Sequence, residues 1–169
     1  MTVQPTAREV DVGSFRTFMS SFPTGVAVVT TLDAASEPVG FTCSSLCSLS
    51  LAPPLLLVCV NRASGTLDAL RAYGAFAVNL LGRNGRPAAE IFSASRSDRF
   101  SAVPWCPTGP RSLPWLQEHA HAVAECELRE IHPGGDHVIM IGAVAGVRFG
   151  DGQTPPLLRG LSRYSVWQD

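Results

Sequence analysis

Apolar and polar residues along this chain fall into short blocks with changing period. Phe15, Phe18, Met19 and Phe22 recur at helical spacing ahead of Pro23. That predicts a helix over Phe15–Phe22, capped by Ser14, stopped by the proline and packing its aromatic stripe into the core. Gly25–Leu32 is β-branched and predicts a strand, followed by a turn at Asp33–Pro38. Val39–Ser50 resumes as strand until Pro53-Pro54 breaks it. Leu55–Val60 is an uninterrupted apolar run, expected to be a strand buried on both faces. A turn at Asn61–Ser64 leads to a helix through Ala72, capped by Ser64 or Thr66. Ala75–Leu81 is a further strand.

The rhythm breaks over Arg83–Trp115, which is rich in Gly, Pro, Ser and Arg. A short helix near Pro87–Ala94 is predicted there, and such a segment suits a lid or a subunit contact. Alternation then returns. Ala122, Ala124, Cys126 and Leu128 interleave with Val123, Glu125, Glu127 and Arg129, the pattern of a half-buried strand. His132–His137 reads as a turn, Val138–Val147 as the partner strand, and Pro155–Val166 as a short C-terminal element. Many short strands with two or three short helices indicate a mainly β, antiparallel barrel. No repeat or linker interrupts it. The expected layout is a flexible polar arm over 1–11 and one domain over 12–169.

Composition narrows the chemistry. With 169 residues, 46% hydrophobic and 16% charged, the chain can bury a core and is not disordered. Net charge is −1 and no basic run appears, which argues against nucleic acid or an anionic membrane as partner. The N-terminus lacks the apolar stretch of a secretory signal, and no apolar run is long enough to span a bilayer, so a cytoplasmic protein is expected. All 13 basic residues are arginine. Without lysine there is no Schiff base to pyridoxal phosphate and no P-loop lysine. An anionic ligand must be met by arginine, hydroxyls and backbone N–H groups. The 5 cysteines are odd in number and form no CxxC, as expected of reduced thiols. No GxGxxG or GxSxG is present. His119, His121, His132 and His137 do not make a metal set, and no metal is expected.

Three constellations carry candidate chemistry. Phe22-Pro23-Thr24-Gly25 shapes a tight approach to the first strand; read plainly, it is a helix-to-strand turn. Thr42, Ser44, Ser45, Ser48 and Ser50 form a hydroxyl-rich wall, and the turn through Asn61, Arg62, Ser64 and Thr66 follows it. Small donors near a helix start can cradle a phosphate, with Arg62 supplying charge, although Ser and Thr also serve as caps and β-formers. In Gly134-Gly135-Asp136-His137 the glycines leave room for a flat ligand and the imidazole can hydrogen-bond it. Neighbours on a strand point apart, so an Asp136–His137 pair is not expected.

The order FPTGVAVVTT, GFTCSSLCSLS, PPLLLVCVNRAS, AFAVNLL, SDRF, GGDHVIMIGAV and a terminal RY resembles the flavin reductase family over roughly Ser14–Tyr164. These are the reductase components of two-component flavin-dependent monooxygenases. The resemblance implies a split β-barrel homodimer that transfers hydride from NAD(P)H to FAD or FMN. Reduced flavin would then go to a partner monooxygenase of a natural-product or aromatic-hydroxylation pathway. FAD is favoured over FMN, and NADH over NADPH. Carried over by residue, Pro23, Thr24 and Gly25 form the first flavin-contact turn. Thr42, Cys43, Ser44 and Ser45 run beneath the isoalloxazine and ribityl chain, and Asn61, Ser64 and Thr66 match the phosphate-side turn. Asp98, Arg99 and Phe100 belong to a variable lid. Gly135 and His137 lie near the nicotinamide, His137 positioning it without a covalent role, and Arg163 and Tyr164 lie near the pyridine nucleotide. The alternatives are a non-catalytic flavin or haem carrier on the same barrel, a pyridoxamine-phosphate-oxidase-like enzyme and a deazaflavin-dependent reductase.

Overall fold

In the computed structural model, which describes residues 10–150 and 154–167, helix α1 (Val12–Ser20) precedes strands β1 (Thr24–Gly25), β2 (Ala27–Leu32), β3 (Pro38–Cys43), β4 (Leu46–Leu51) and β5 (Pro54–Asn61). Helix α2 (Thr66–Tyr73), strand β6 (Ala75–Leu81) and helices α3 (Arg86–Ser93) and α4 (Arg99–Ala102) follow. Strands β7 (Cys106–Thr108), β8 (Leu113–Trp115), β9 (Ala120–Gly134), β10 (His137–Phe149), β11 (Leu157–Gly160) and β12 (Arg163–Val166) complete the chain.

Seven strands form one antiparallel sheet in the order β3-β2-β6-β9-β10-β5-β4. Its two edge strands are consecutive in the chain, joined only by Ser44 and Ser45. Flat, those edges would stand roughly 29 Å apart, six spacings of about 4.8 Å. The link from Cys43 to Leu46 reaches at most about 11 Å. The sheet must therefore roll until its edges meet, and it does: β3 comes against β5, with Cys43 in the same core as Val58 and Val60. The predicted barrel is correct, and its split lies at the hydroxyl-rich link. Val39–Ser50 is accordingly two strands rather than one.

The roll creates two cores on either side of β2, which is buried along its whole length. Ala27 and Val29 face the barrel interior with Val58, Val60, Phe76, Val78 and Met140. Val26 and Val28 face a second core made with Ala88, Ala89, Phe92, Leu116 and Leu157. Helix α3 and the β11–β12 hairpin thus seal one side of the barrel. The hairpin of β7 and β8 covers the outer face of β6 and β9. Here the half-buried reading of β9 holds at the exposed Glu127 and Arg129 but fails further back, where Val123 packs with Leu113 under the hairpin. Glu125 is buried too, accepting from Thr108 Oγ1 at 2.8 Å, with Arg148 Nε at 3.4 Å. Gly109, at φ +65°, is the only residue type that fits above that carboxylate, since a Cβ would stand 1.7 Å from it.

Other expectations are corrected. Asp11, not Ser14, caps α1: its carboxylate accepts Ser14 N–H at 3.0 Å and Ser14 Oγ–H at 2.6 Å. Those two hydrogen bonds hold the Asp11 carboxyl below the usual range. Of the predicted N-terminal arm, residues 1–9 lie outside the described residues, and Asp11 is ordered by its cap. The aromatic stripe is not in the core; no residue of α1 is buried, and Phe18 and Phe22 are 69% and 63% exposed. Strand β5 is not buried on both faces, because nothing among the described residues covers Leu55, Leu57 and Cys59, which stay half-exposed. Neither Ser64 nor Thr66 is the cap of α2: Gly65 occupies that position without a side-chain bond, and Gly74 closes the helix in the left-handed region at φ 71°. The predicted turn at His132–His137 tightens to Gly135-Asp136, since β9 runs through Gly134 and β10 starts at His137.

Candidate functional site

Two grooves flank the split. The larger, about 800 Å³, is walled by Gly40–Thr42 of β3, the Asn61–Thr66 turn, Phe92 and Ser93 at the end of α3, and the segment through Ser95, Arg96, Ser97, Arg99 and Phe100. The smaller, about 360 Å³, is walled by Arg16, Met19 and Ser20 of α1, by Thr24, Ser44 and Ser45, and by Arg159 and Ser162. A narrow apolar cavity of about 170 Å³, bounded by Thr24, Gly25, Ser44, Leu46, Leu80 and His121, lies beside the smaller groove and shares Thr24 and Ser44 with it. The Thr42–Ser45 segment therefore divides two ligand-sized spaces.

Local geometry explains each wall. Thr42 Oγ1 donates to Ala89 O at 2.7 Å, which ties β3 to α3 and leaves the hydroxyl oxygen only as an acceptor toward the groove. In the turn, Asn61 Oδ1 accepts Ala63 N–H at 2.8 Å and Ser64 Oγ accepts Thr66 N–H at 3.3 Å. Gly40 lets β3 lie close on β2 and Phe92, since a Cβ there would stand 2.7 Å from Val29 O and 3.2 Å from the Phe92 ring. The lid is latched by Arg99, which donates to Gly40 O at 3.1 Å and Ala94 O at 2.6 Å. Arg99 Nε stays buried without a partner on the wall of the groove. Asp98 is engaged by Arg96 at 2.6 Å, and that bond holds its carboxyl below the usual range. Phe100 packs edge-on to Phe92 with centroids 4.9 Å apart.

The sequence-predicted residues divide between these surfaces. Thr42, Asn61, Ser64, Thr66, Arg99 and Phe100 line the larger groove, while Thr24, Ser44 and Ser45 line the smaller. Gly25 lines the narrow cavity, and Pro23 packs behind Gly160. Cys43 turns into the barrel core, and burial raises its thiol pKa. Arg62 points away from the groove, its Nε toward His137 O at 3.4 Å. His137 pairs with Asn61 across the sheet, next to the left-handed turn residue Gly135. Contrary to expectation, Asp136 and His137 do pair, with Nδ1···Oδ1 2.7 Å, because Asp136 belongs to the turn and not to the strand. That hydrogen bond is the main cause holding the Asp136 carboxyl below its usual range. Arg163 is exposed on β12, whereas Tyr164 packs against the second core under Arg159.

Arg16, Ser20, Arg159 and Ser162, and on the other side Ser93, Ser95, Arg96 and Ser97, are lining residues that sequence reasoning did not name. The Ser-Arg density of 93–97 was a usable signal. Arg16 and Arg159 had none, since only the fold brings them together.

The groove suits a flavin: it is large, mixes apolar ring faces with small hydroxyls, and carries the orphaned Arg99 Nε. Comparison with known proteins agrees. Residues 19–168 match the model of the flavin reductase like domain family. The chain is 50% identical over 159 residues to flavin reductase (NADPH) of Lentzea aerocolonigenes, covering 94% of this chain and 91% of that one. It is 35% identical over 136 residues to the flavin-dependent monooxygenase reductase subunit HsaB of Mycobacterium tuberculosis, covering 80% of this chain and 71% of that one. The solved structure of the Streptomyces globisporus NADH:FAD oxidoreductase SgcE6 with NAD and FAD fragments superposes with a TM-score of 0.86 at 32% identity, covering 96% of this chain and 98% of that one.

Proposed function

This chain belongs to the flavin reductase family, and from that membership we propose that it reduces FAD bound in the larger groove with NADH or NADPH and passes the reduced flavin to a partner monooxygenase. The observation that carries the reading is the groove itself, walled by Thr42, the Asn61–Thr66 turn and the Arg99-latched lid at the split of the barrel. FAD is preferred to FMN because the wall continues past the phosphate-sized turn to Ser93–Ser97, leaving surface for a second nucleotide half. A relative named as an NADH:FAD oxidoreductase supports that choice. The monooxygenase partner is supported by the relative named as a monooxygenase reductase subunit.

When bound, the flavin supplies the hydride-accepting ring, and the protein supplies orientation and electrostatics. Thr42 on the wall of the larger groove, and the backbone of the segment that continues from it to Ser45 between the two grooves, would orient the ring. The Asp136 carboxylate accepts the Nδ1–H of His137 and fixes its tautomer. With Nδ1 held by Asp136, the His137 Nε2 is left to hydrogen-bond the carboxamide of the nicotinamide. No protein nucleophile or general base is required.

The protein works as a homodimer in the cytoplasm. The exposed stripe of Phe15, Phe18, Met19 and Phe22 and the uncovered face of β5 form apolar surface larger than scattered surface residues, and a second copy of the chain would cover it. The free thiols suit a reducing compartment.

The test is direct: protein, NADH or NADPH, and excess FAD or FMN are mixed in air and absorbance is followed at 340 nm. Loss of the reduced nucleotide that depends on flavin is expected. Flavin binding without any such loss would make the chain a carrier.

A further inference from the structure

Among the described residues, no carboxylate lies within ion-pair distance of the two guanidinium groups that line the smaller groove. Most guanidinium groups are engaged: Arg71, Arg86, Arg96, Arg129 and Arg148 on carboxylates, and Arg62, Arg99 and Arg111 on carbonyls. Among the described residues Arg16, Arg83, Arg159 and Arg163 have neither kind of partner, and of these Arg16 and Arg159 line this groove together. Arg16 sits one helical turn before Ser20, on the flank of the aromatic stripe. Arg159, paired with Thr24 across β1 and β11, lies over the Tyr164 ring at 5.0 Å, which orients its guanidinium without neutralising it. Two like charges in one concavity repel, and an anion between them relieves that repulsion. Ser20, Ser45 and Ser162 add hydroxyl groups to the same wall.

The reaction proposed above brings two phosphate-bearing ligands to the chain together, and each needs its own anion site. The Thr42–Ser45 segment separates the larger groove, with its Asn61–Thr66 turn, from the smaller. We propose that the Arg16–Arg159 groove binds the phosphate groups of the nicotinamide nucleotide, and so sets its affinity independently of the flavin's. This rests on the reading of the chain as an NAD(P)H-dependent flavin reductase.

Arg16→Gln and Arg159→Gln separate the possibilities, with Arg83→Gln as control, since Arg83 lies in neither groove. Steady-state kinetics with NADH and NADPH should show KM for the nucleotide rising about ten-fold in each groove variant, the factor for one lost charge-assisted hydrogen bond. The kcat and the KM for FAD should stay within about two-fold of wild type, and the salt dependence of the nucleotide KM should weaken. A rise confined to NADPH also supports the proposal and assigns the groove to the 2′-phosphate. Calorimetric titration with NADP⁺ reads the same loss without turnover. Unchanged nucleotide KM and affinity, or a rise in the FAD KM of similar size, would overturn the proposal. Wild-type protein without any flavin-dependent NAD(P)H loss would instead overturn the functional reading on which it rests.

Discussion

Asn79→Leu should cost this protein roughly 3 kcal/mol. Asn79 is fully buried on β6, and its side chain is the junction between the barrel and the strand that covers it. Its Nδ2 donates to Val28 O and Thr30 Oγ1, both at 3.2 Å, and to Pro114 O at 3.3 Å. Its Oδ1 accepts Leu116 N–H at 2.9 Å. Leucine has nearly the same shape, so packing is preserved and the polar loss is isolated. Pro114 O keeps the Thr30 hydroxyl at 2.7 Å. Leu116 N–H, on a residue with no exposure, is left without its partner. An orphaned buried donor costs about 1–3 kcal/mol, and the lost net contribution of the other bonds adds about 1 kcal/mol. For a chain of this size that lowers Tm by roughly 6–12 °C. The assay is urea unfolding followed by circular dichroism in wild type, Asn79→Leu, Thr30→Val and the double variant. The m-value should not change, and the double variant should cost less than the sum of the singles, because both touch Pro114. A loss below about 1 kcal/mol in Asn79→Leu, or strict additivity, would refute the account of this network.

Three further outcomes are expected. His137→Ala should raise the KM for NADH or NADPH roughly 5- to 10-fold with little change in Tm or in the FAD KM, since the imidazole is partly exposed and its lost contact is with the nucleotide; an unchanged KM removes His137 from the site. Burial pushes the Cys126 thiol from 9.0 up to about 12. A folded-state pKa raised in this way gives stability that is whole below pH 9 and is lost as pH rises toward 12, because only the unfolded chain releases the proton. The fall in unfolding free energy across pH 9–11 should therefore be shallower in Cys126→Ala than in wild type; parallel pH profiles would contradict the burial argument. Phe18→Asp places a charge in the exposed stripe of α1 and should convert a dimer to monomer by light scattering while the larger groove still binds FAD; a mass unchanged between the two proteins would remove α1 from the subunit contact.

Local patterns in the chain were enough for the class of the fold and most of its elements. The β-branched runs of β2 and β6, the helix at α3 and the Gly-Gly-Asp turn follow from backbone preference and side-chain period, which act over a few residues. The hydroxyls of Thr42, Ser44 and Ser45 likewise marked a segment that lines both grooves, because small donors in such number are unusual beside an apolar strand. Contacts between distant segments decided the rest. Val123 and Glu125 look solvent-facing by alternation, and only the β7–β8 hairpin, folded back over β9, buries them. The stripe of α1 has the period of a core helix, yet the cores close without it, leaving it for a surface outside this chain. Period reports that one face is apolar, but not what covers it. The same limit applies to chemistry: Asp136 and His137 pair because the turn is two residues tight. Arg16 and Arg159, at opposite ends of the sequence, share a groove because two edge strands joined by Ser44 and Ser45 force the sheet to roll shut.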